Sequence, residues 1–297
     1  MKGSKQFSPK AVLDMGQDLK IMKETLKEAE AIGFLIPKSV MMLISGLKSS
    51  EAASTSATSI CTNLGSLRDL HEGINNLIQM ASVQQALSNV QDDKWINELL
   101  DGSLRLVDLC GFSRDVVCLT KESVQDLESS IRRNKGETAI DVNTYVASRK
   151  KINKMVTKYI KNLKGFNQNS TALLDKDYDL KAIGKMLKET EALGFSILKS
   201  VLILMAGEKE RSKQRSWSLL SKFTQTSRVH SEVQQDAGAE NLCSFNTFKS
   251  LKSMDNIALQ STLKASEMTI EKLEEGLEAL FRSLVKTRVS LLNVLSH

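Results

Sequence analysis

The chain has 297 residues, 41% of them hydrophobic and 26% charged, which is enough apolar side chain to bury a core. Two prolines and 5% aromatic residues exclude a β-sandwich or β-barrel, whose turns and strands draw on proline, aromatic and β-branched residues. A net charge of +6 permits attraction to an anionic surface without demanding it, and no apolar run reaches the roughly 18 residues of a membrane span.

The N-terminal segment, residues 1–46, duplicates a later one. Residues Leu19–Gly46 lie on Leu180–Gly207 at an offset of 161, with no gap; more than half of the pairs from Ala11/Ala172 to Gly46/Gly207 are identical. Two copies make a duplication and not a solenoid. Both carry apolar residues at helical spacing, and Gly33 and Gly194 are expected to interrupt them at the same place. Pro37 stands where the second copy has Leu198, so the first copy should kink or break near Phe34–Pro37. Its MKGSKQFSPK start has no apolar core of a secretory leader. The copy at 11–46 is expected to pack loosely outside the bundle or to dock on another molecule, because a core has room for such a helix once.

Ser50–Ser59 is small and polar and reads as a flexible link that ends in a helix N-cap. A helix should follow to about Gln79, then a short one around Val83–Ser88. The longest periodic stretch runs from Asp92 to about Arg133. Ile96, Leu99, Ser103, Leu106, Cys110, Ser113, Val117, Thr120, Val124, Leu127 and Ile131 follow steps of three and four, the 3.5-residue repeat of a helix packed along a partner. Asn134–Gly136 reads as its cap and turn. A basic helix should span about Asp141 to Phe166. The second copy, 172–207, contains the apolar run Phe195–Ala206, which reads as a buried core helix. Thr224–Ser244 lacks periodicity and reads as a disordered linker. A last helix from about Asp255 to Leu295 has heptad steps at Ile270, Leu273, Leu277, Leu280, Leu284 and Leu291. The predicted fold is all-α: an elongated antiparallel bundle of long heptad-patterned helices.

No constellation for catalysis stands out. Of three histidines, only His71 falls on a firm helix, and there it reads as a surface or satisfied residue. There is no HExxH, no Cys/His spacing for zinc, no Gly-rich phosphate loop and no GxSxG. No catalytic residue, cofactor or metal is expected. Cys61, Cys110, Cys118 and Cys243 have no CxxC spacing and read as reduced, mostly buried thiols of an intracellular, cytoplasmic-type compartment. Gly102 inside ELLDGSLRL costs helix propensity, which points to the close approach of a crossing helix.

The candidate binding feature is the basic helix. From Val142 to Leu174 there is no acidic residue, and Arg149, Lys150, Lys151, Lys154, Lys158, Lys161 and Lys164 lie within it. Lys150, Lys151, Lys154, Lys158 and Lys161 share one helical face; Tyr145, Ile152, Val156, Tyr159 and Leu163 share the opposite one. Helix 149–164 could meet an anionic membrane as a peripheral protein. Nucleic acid is the weaker reading, since no aromatic or fold motif accompanies the charge. The plainer reading is a solvated face partly neutralised by Glu267, Glu271, Glu274 and Glu275.

Six stretches together resemble a known family: SSEAASTSATSIC (49–61), LHEGINNLIQ (70–79), QQAL (84–87), KWINELLDGSLRLVDLC (94–110), YVASRKK (145–151) and KTRVSLLNVLSH (286–297). The chain resembles, over roughly residues 47–297, a plant-specific family of helical proteins similar to the BYPASS proteins of root and shoot development. The resemblance implies a plant protein with a developmental role and carries over no catalytic residue; taken with the heptad helices and the lack of a catalytic constellation, it points to a non-enzymatic interaction protein whose helical bundle meets protein partners. Family members open with a short basic, Ser-rich tail where this chain has the duplicate, an arrangement expected from fusion with a fragment of a tandem neighbour.

Overall fold

The computed structural model describes residues 35–50, 56–88, 93–133, 143–163, 178–206 and 256–295. They form seven helices and no strand. These are α1 over 35–50, α2 (Ala57–Ile78), α3 (Ala81–Ser88), α4 (Asp93–Arg133), α5 (Asn143–Leu163), α6 (Tyr178–Ala206) and α7 (Asn256–Leu295). The expected all-α bundle is found. Its long members α4 and α7 have 41 and 40 residues, each about 60 Å at 1.5 Å per residue. Residues 1–34 of the duplicate, the turn Asn134–Gly136 and the linker Thr224–Ser244 lie outside the described residues.

The heptad positions pack as their spacing demands. Leu99, Leu106, Cys110, Val117, Val124, Leu127 and Ile131 of α4 are buried, as are Ile270, Leu273, Leu277, Leu280, Leu284 and Leu291 of α7. The small polar members Ser113 and Thr120 are buried too. Each donates to a carbonyl of its own helix, Leu109 and Val116, at 2.8 Å. Their hydroxyls are thereby satisfied without a partner helix, and their small volume lets one come close.

Contacts between helices set the chain directions. Arg288 of α7 donates to the Leu100 carbonyl of α4, and Lys121 of α4 reaches Glu274 of α7, so these two run antiparallel. The same holds for α4 and α5, through Thr120 with Arg149 and Phe112 with Tyr159. Two pairs run parallel: α4 with α6, through Glu98 with Lys188 and Leu106 with Gly194, and α2 with α7, through Leu64 with Gly276 and His71 with Thr287. The core is thus formed by α2, α4, α6 and α7, with α5 laid against α4 and α6 and the short α3 against α6 and α7.

Local chemistry sets several details. The N-cap of α2 is Ser56, which is extended and accepts from the Ser59 amide at 3.2 Å, so the helix starts earlier than a link reaching Ser59 would allow. Gly194 does not interrupt its copy: α6 runs continuously through it. The glycine serves packing, because a Cβ there would stand 2.8 Å from Leu106 Cδ1 of α4. Gly102 lies under the carboxylate of Glu191, the crossing-helix approach expected of it. Phe195–Ala206 forms the buried part of α6, with Ile197, Leu198, Val201, Leu202 and Met205 inside.

The duplicate is better packed than its sequence suggests. Pro37 lies within the described part of α1, which continues as helix through residue 50. Val40, Ile44 and Leu47 enter the core. Val40 packs at Gly73 of α2, Ser50 donates to Asn63 at 2.6 Å, and Lys48 pairs with Glu189 of α6 at 3.1 Å. The expected loose packing is therefore corrected for residues 35–50: one stripe is held by α2 and α6. The other stays open, with Met41 and Met42 at 59% and 66% exposed. The position matching Met41 in α6 is Leu202, which is fully buried, so equal sequences face unequal surroundings.

Candidate functional site

The amphipathic pattern of α5 places its apolar face on the bundle. Tyr145, Ile152 and Val156 are buried, and the Tyr159 ring stacks on Phe112 of α4 with centroids 3.8 Å apart. The opposite face carries Lys150, Lys151, Lys154, Lys158 and Lys161, all exposed. Four of them, with Asn153 and Thr157 between, line one shallow concavity open to solvent. Lys164 lies outside the described residues.

Arg149 does not belong to this face. It is 2% exposed and donates from Nη1 to Thr120 Oγ1 at 2.9 Å and from Nη2 to the Met205 carbonyl. Counted with Tyr145, Ile152 and Val156, Arg149 sits at steps of four, three and four along the buried seam, where its charge is directed at the C-terminal end of α6. Its heptad position was the signal that separates it from the lysines.

Three of the four glutamates expected to neutralise the lysines act on α4 instead. Glu274 pairs with Lys121 at 2.6 Å; Glu271 also acts on Lys121 and Glu267 on Arg132, all on α4. Lys48, Arg105, Arg114, Lys121 and Lys188 each meet a glutamate of another helix. Among the described residues, no acidic side chain forms an ion pair with the five exposed lysines of α5.

A second polar group lies inside the bundle and was missed by the sequence reading. His71 is 4% exposed, with Nδ1 3.2 Å from Thr287 Oγ1 and Nε2 without a partner. Burial lowers its pKa to about 4, so the ring is neutral at pH 7. Nearby, Glu191 is pushed up by burial, an effect opposed by Arg105 and Lys188. Cys61 is half-buried, Cys110 buried and Cys118 exposed, all as free thiols; burial pushes Cys110 up to about 12, far from a reactive thiolate. Among the described residues, no cluster of three or more His, Cys, Asp or Glu side chains could hold a metal ion, and no helix is long and apolar enough to cross a membrane.

Neither a curated protein nor a solved structure matches the chain. A family model described as Protein BPS1 matches residues 63–294, from within α2 to the last turn of α7. That span holds most of the four-helix core and the lysine face of α5, leaving α1, the first turns of α2 and Leu295 outside among the described helices, and the chain belongs to the BPS1 family.

Proposed function

We propose that this chain is a non-enzymatic interaction protein of plants, a helical bundle that presents the lysine face of α5 to an acidic surface on a protein partner. The family suggests the setting, root and shoot development. The observation that carries the reading is the clustering of charge: five exposed lysines share one face of α5, and among the described residues none of them forms an ion pair, whereas Lys48, Arg105, Arg114, Lys121 and Lys188 each meet a glutamate across helices. Long-range attraction from such a face speeds and orients encounter with an anionic partner. The test is affinity capture from native tissue with the full chain and with its Lys150→Glu, Lys154→Glu, Lys158→Glu variant. The reading predicts partners that are reproducible, released by salt and lost in the variant. Partners unaffected by the variant would overturn the role of α5.

A second reading is peripheral attachment to an anionic membrane by the same face, with the protein in the cytoplasm. It is favoured by the length of the exposed lysine stripe, which spans roughly 16 Å from Lys150 to Lys161 at 1.5 Å per residue. The apolar side of α5 is occupied by the bundle, so attachment would be electrostatic and without insertion, at about 1 kcal/mol per lysine near the surface. Sedimentation with phosphatidylserine vesicles, but not with phosphatidylcholine vesicles, would support it. Equal recovery from both would dismiss it.

A further inference from the structure

Between α2, α4, α6 and α7 lies a cavity of about 30 Å³ whose polar lining is His71, Ser103, Thr190, Glu191 and Thr287. Each hydroxyl there already spends its hydrogen on its own helix. Ser103 donates to the Leu100 carbonyl at 2.7 Å, Thr190 to Met186 at 2.8 Å, and Thr287 to Ser283 at 3.0 Å. Thr287 Oγ1 can therefore only accept from His71. This assigns the ring proton of His71 to Nδ1 and leaves Nε2 as a bare acceptor, buried and unpartnered.

The lining offers Nε2 no donor. The hydroxyls are committed, an ionised Glu191 only accepts, and Arg288 Nη1 is engaged by the Leu100 carbonyl and Ser103 Oγ. No lining residue supplies the donor, and a solvent molecule in the cavity can. About 10–15 Å³ of such space holds one water, which also needs at least two polar partners. The cavity meets both conditions and is too small for an organic ligand. One imidazole and one carboxylate fall short of the three or four protein ligands of a zinc site.

We propose that this cavity binds one ordered water molecule, which donates one hydrogen bond to Nε2 of His71 and the other to the carboxylate of Glu191. The water completes a polar chain across the core. The chain runs from the Ser283 carbonyl through Thr287 of α7 to His71 of α2, then through the water to Glu191 of α6 and its ion pair with Arg105 of α4 at 3.8 Å. It joins the four core helices at one level and so couples their relative register.

The test uses the full chain with His230 and His297 changed to glutamine, so that His71 gives the one ring signal. Nitrogen-15 spectra at pH 7 should show the Nδ1–H tautomer, and Thr287→Val should shift the balance toward Nε2–H. Water relaxation dispersion should detect a long-lived water that is lost in Thr190→Ile, a change that fills the cavity and leaves His71 in place. If His71→Phe folds, it should lose the same water. An Nε2–H tautomer in the parent chain overturns the proposal. So does the absence of a long-lived water, including the case in which a protonated Glu191 donates directly to Nε2.

Discussion

Arg149 donates to the main-chain carbonyl of Met205, the residue before the last of α6, and so ties the basic helix to the end of its neighbour. The cation thereby meets a main-chain carbonyl in the last described turn of α6, where the helix dipole favours positive charge. Thr120 of α4 accepts a second bond from the same guanidinium, so one side chain joins three helices.

Replacing Arg149 by methionine should lower stability by about 2–3 kcal/mol, since charge-assisted bonds are lost and a buried carbonyl is left unpaired. Lys154→Ala, on the opposite face of α5, should change it by less than about 0.5 kcal/mol. Urea unfolding of both variants checks the contrast. Similar effects from the two would place Arg149 at the surface.

Three glycines should respond in different ways to alanine. At Gly194 the new methyl would press on Leu106, a core residue, and a loss of about 1–3 kcal/mol is expected. At Gly102 the neighbour is the Glu191 carboxylate, which can swing aside but then strains its pairing with Arg105; a smaller loss is expected. A Cβ at Gly65 meets nothing within 4 Å, so alanine there should stabilise α2 by up to about 1 kcal/mol. Thermal melts of the three variants give the order directly.

His71 makes stability fall in mild acid. Its folded pKa of about 4 lies below the unfolded value of 6.5, so the unfolded chain binds more protons between them. The neutral buried ring costs nothing above pH 6.5; as pH falls from there to about 4, unfolding gains on the order of 3 kcal/mol. Glu191 acts in the opposite sense, because its raised pKa lets the folded chain take up a proton first as pH falls. Glu98, Arg105, Lys188 and Arg288 are the other charged groups around this region. Unfolding free energies from pH 7 to 4 for the parent and His71→Gln isolate the histidine: the variant should lose most of the decline. An unchanged profile would assign the decline to other groups.

The N-terminal helix should contribute to stability through one stripe. Val40→Ala and Ile44→Ala should each cost about 1–3 kcal/mol, while Met41→Ala and Met42→Ala, on the open side, should stay within about 0.5 kcal/mol. Deletion of residues 1–46 should therefore lower the melting temperature measurably. An unchanged melting temperature would return the duplicate to the status of an appendage.

Much of the bundle was legible in the chain, for a physical reason. Side-chain periodicity is a local property, so the heptad steps of α4 and α7 name their buried residues without knowledge of the partner. The lysine face of α5 and the close approach at Gly102 were readable in the same way, from spacing and from propensity. The family could also be named from ordered motifs, all without any contact between distant residues.

The rest depended on which helices meet. The heptad position of Arg149 marks it as facing the bundle, but only the tertiary structure brings the Met205 carbonyl and Thr120 to its guanidinium. His71 and Glu191 are 120 positions apart, and nothing in either local segment reveals that both face one cavity. The two copies of the duplicated segment differ in fate although their sequences agree, because α6 is enclosed by the core while α1 is covered on one stripe. Sequence by itself determined which residues avoid water; the tertiary structure alone decided which of them find a partner, since burial and hydrogen bonding are properties of the neighbours a helix acquires and not of the helix.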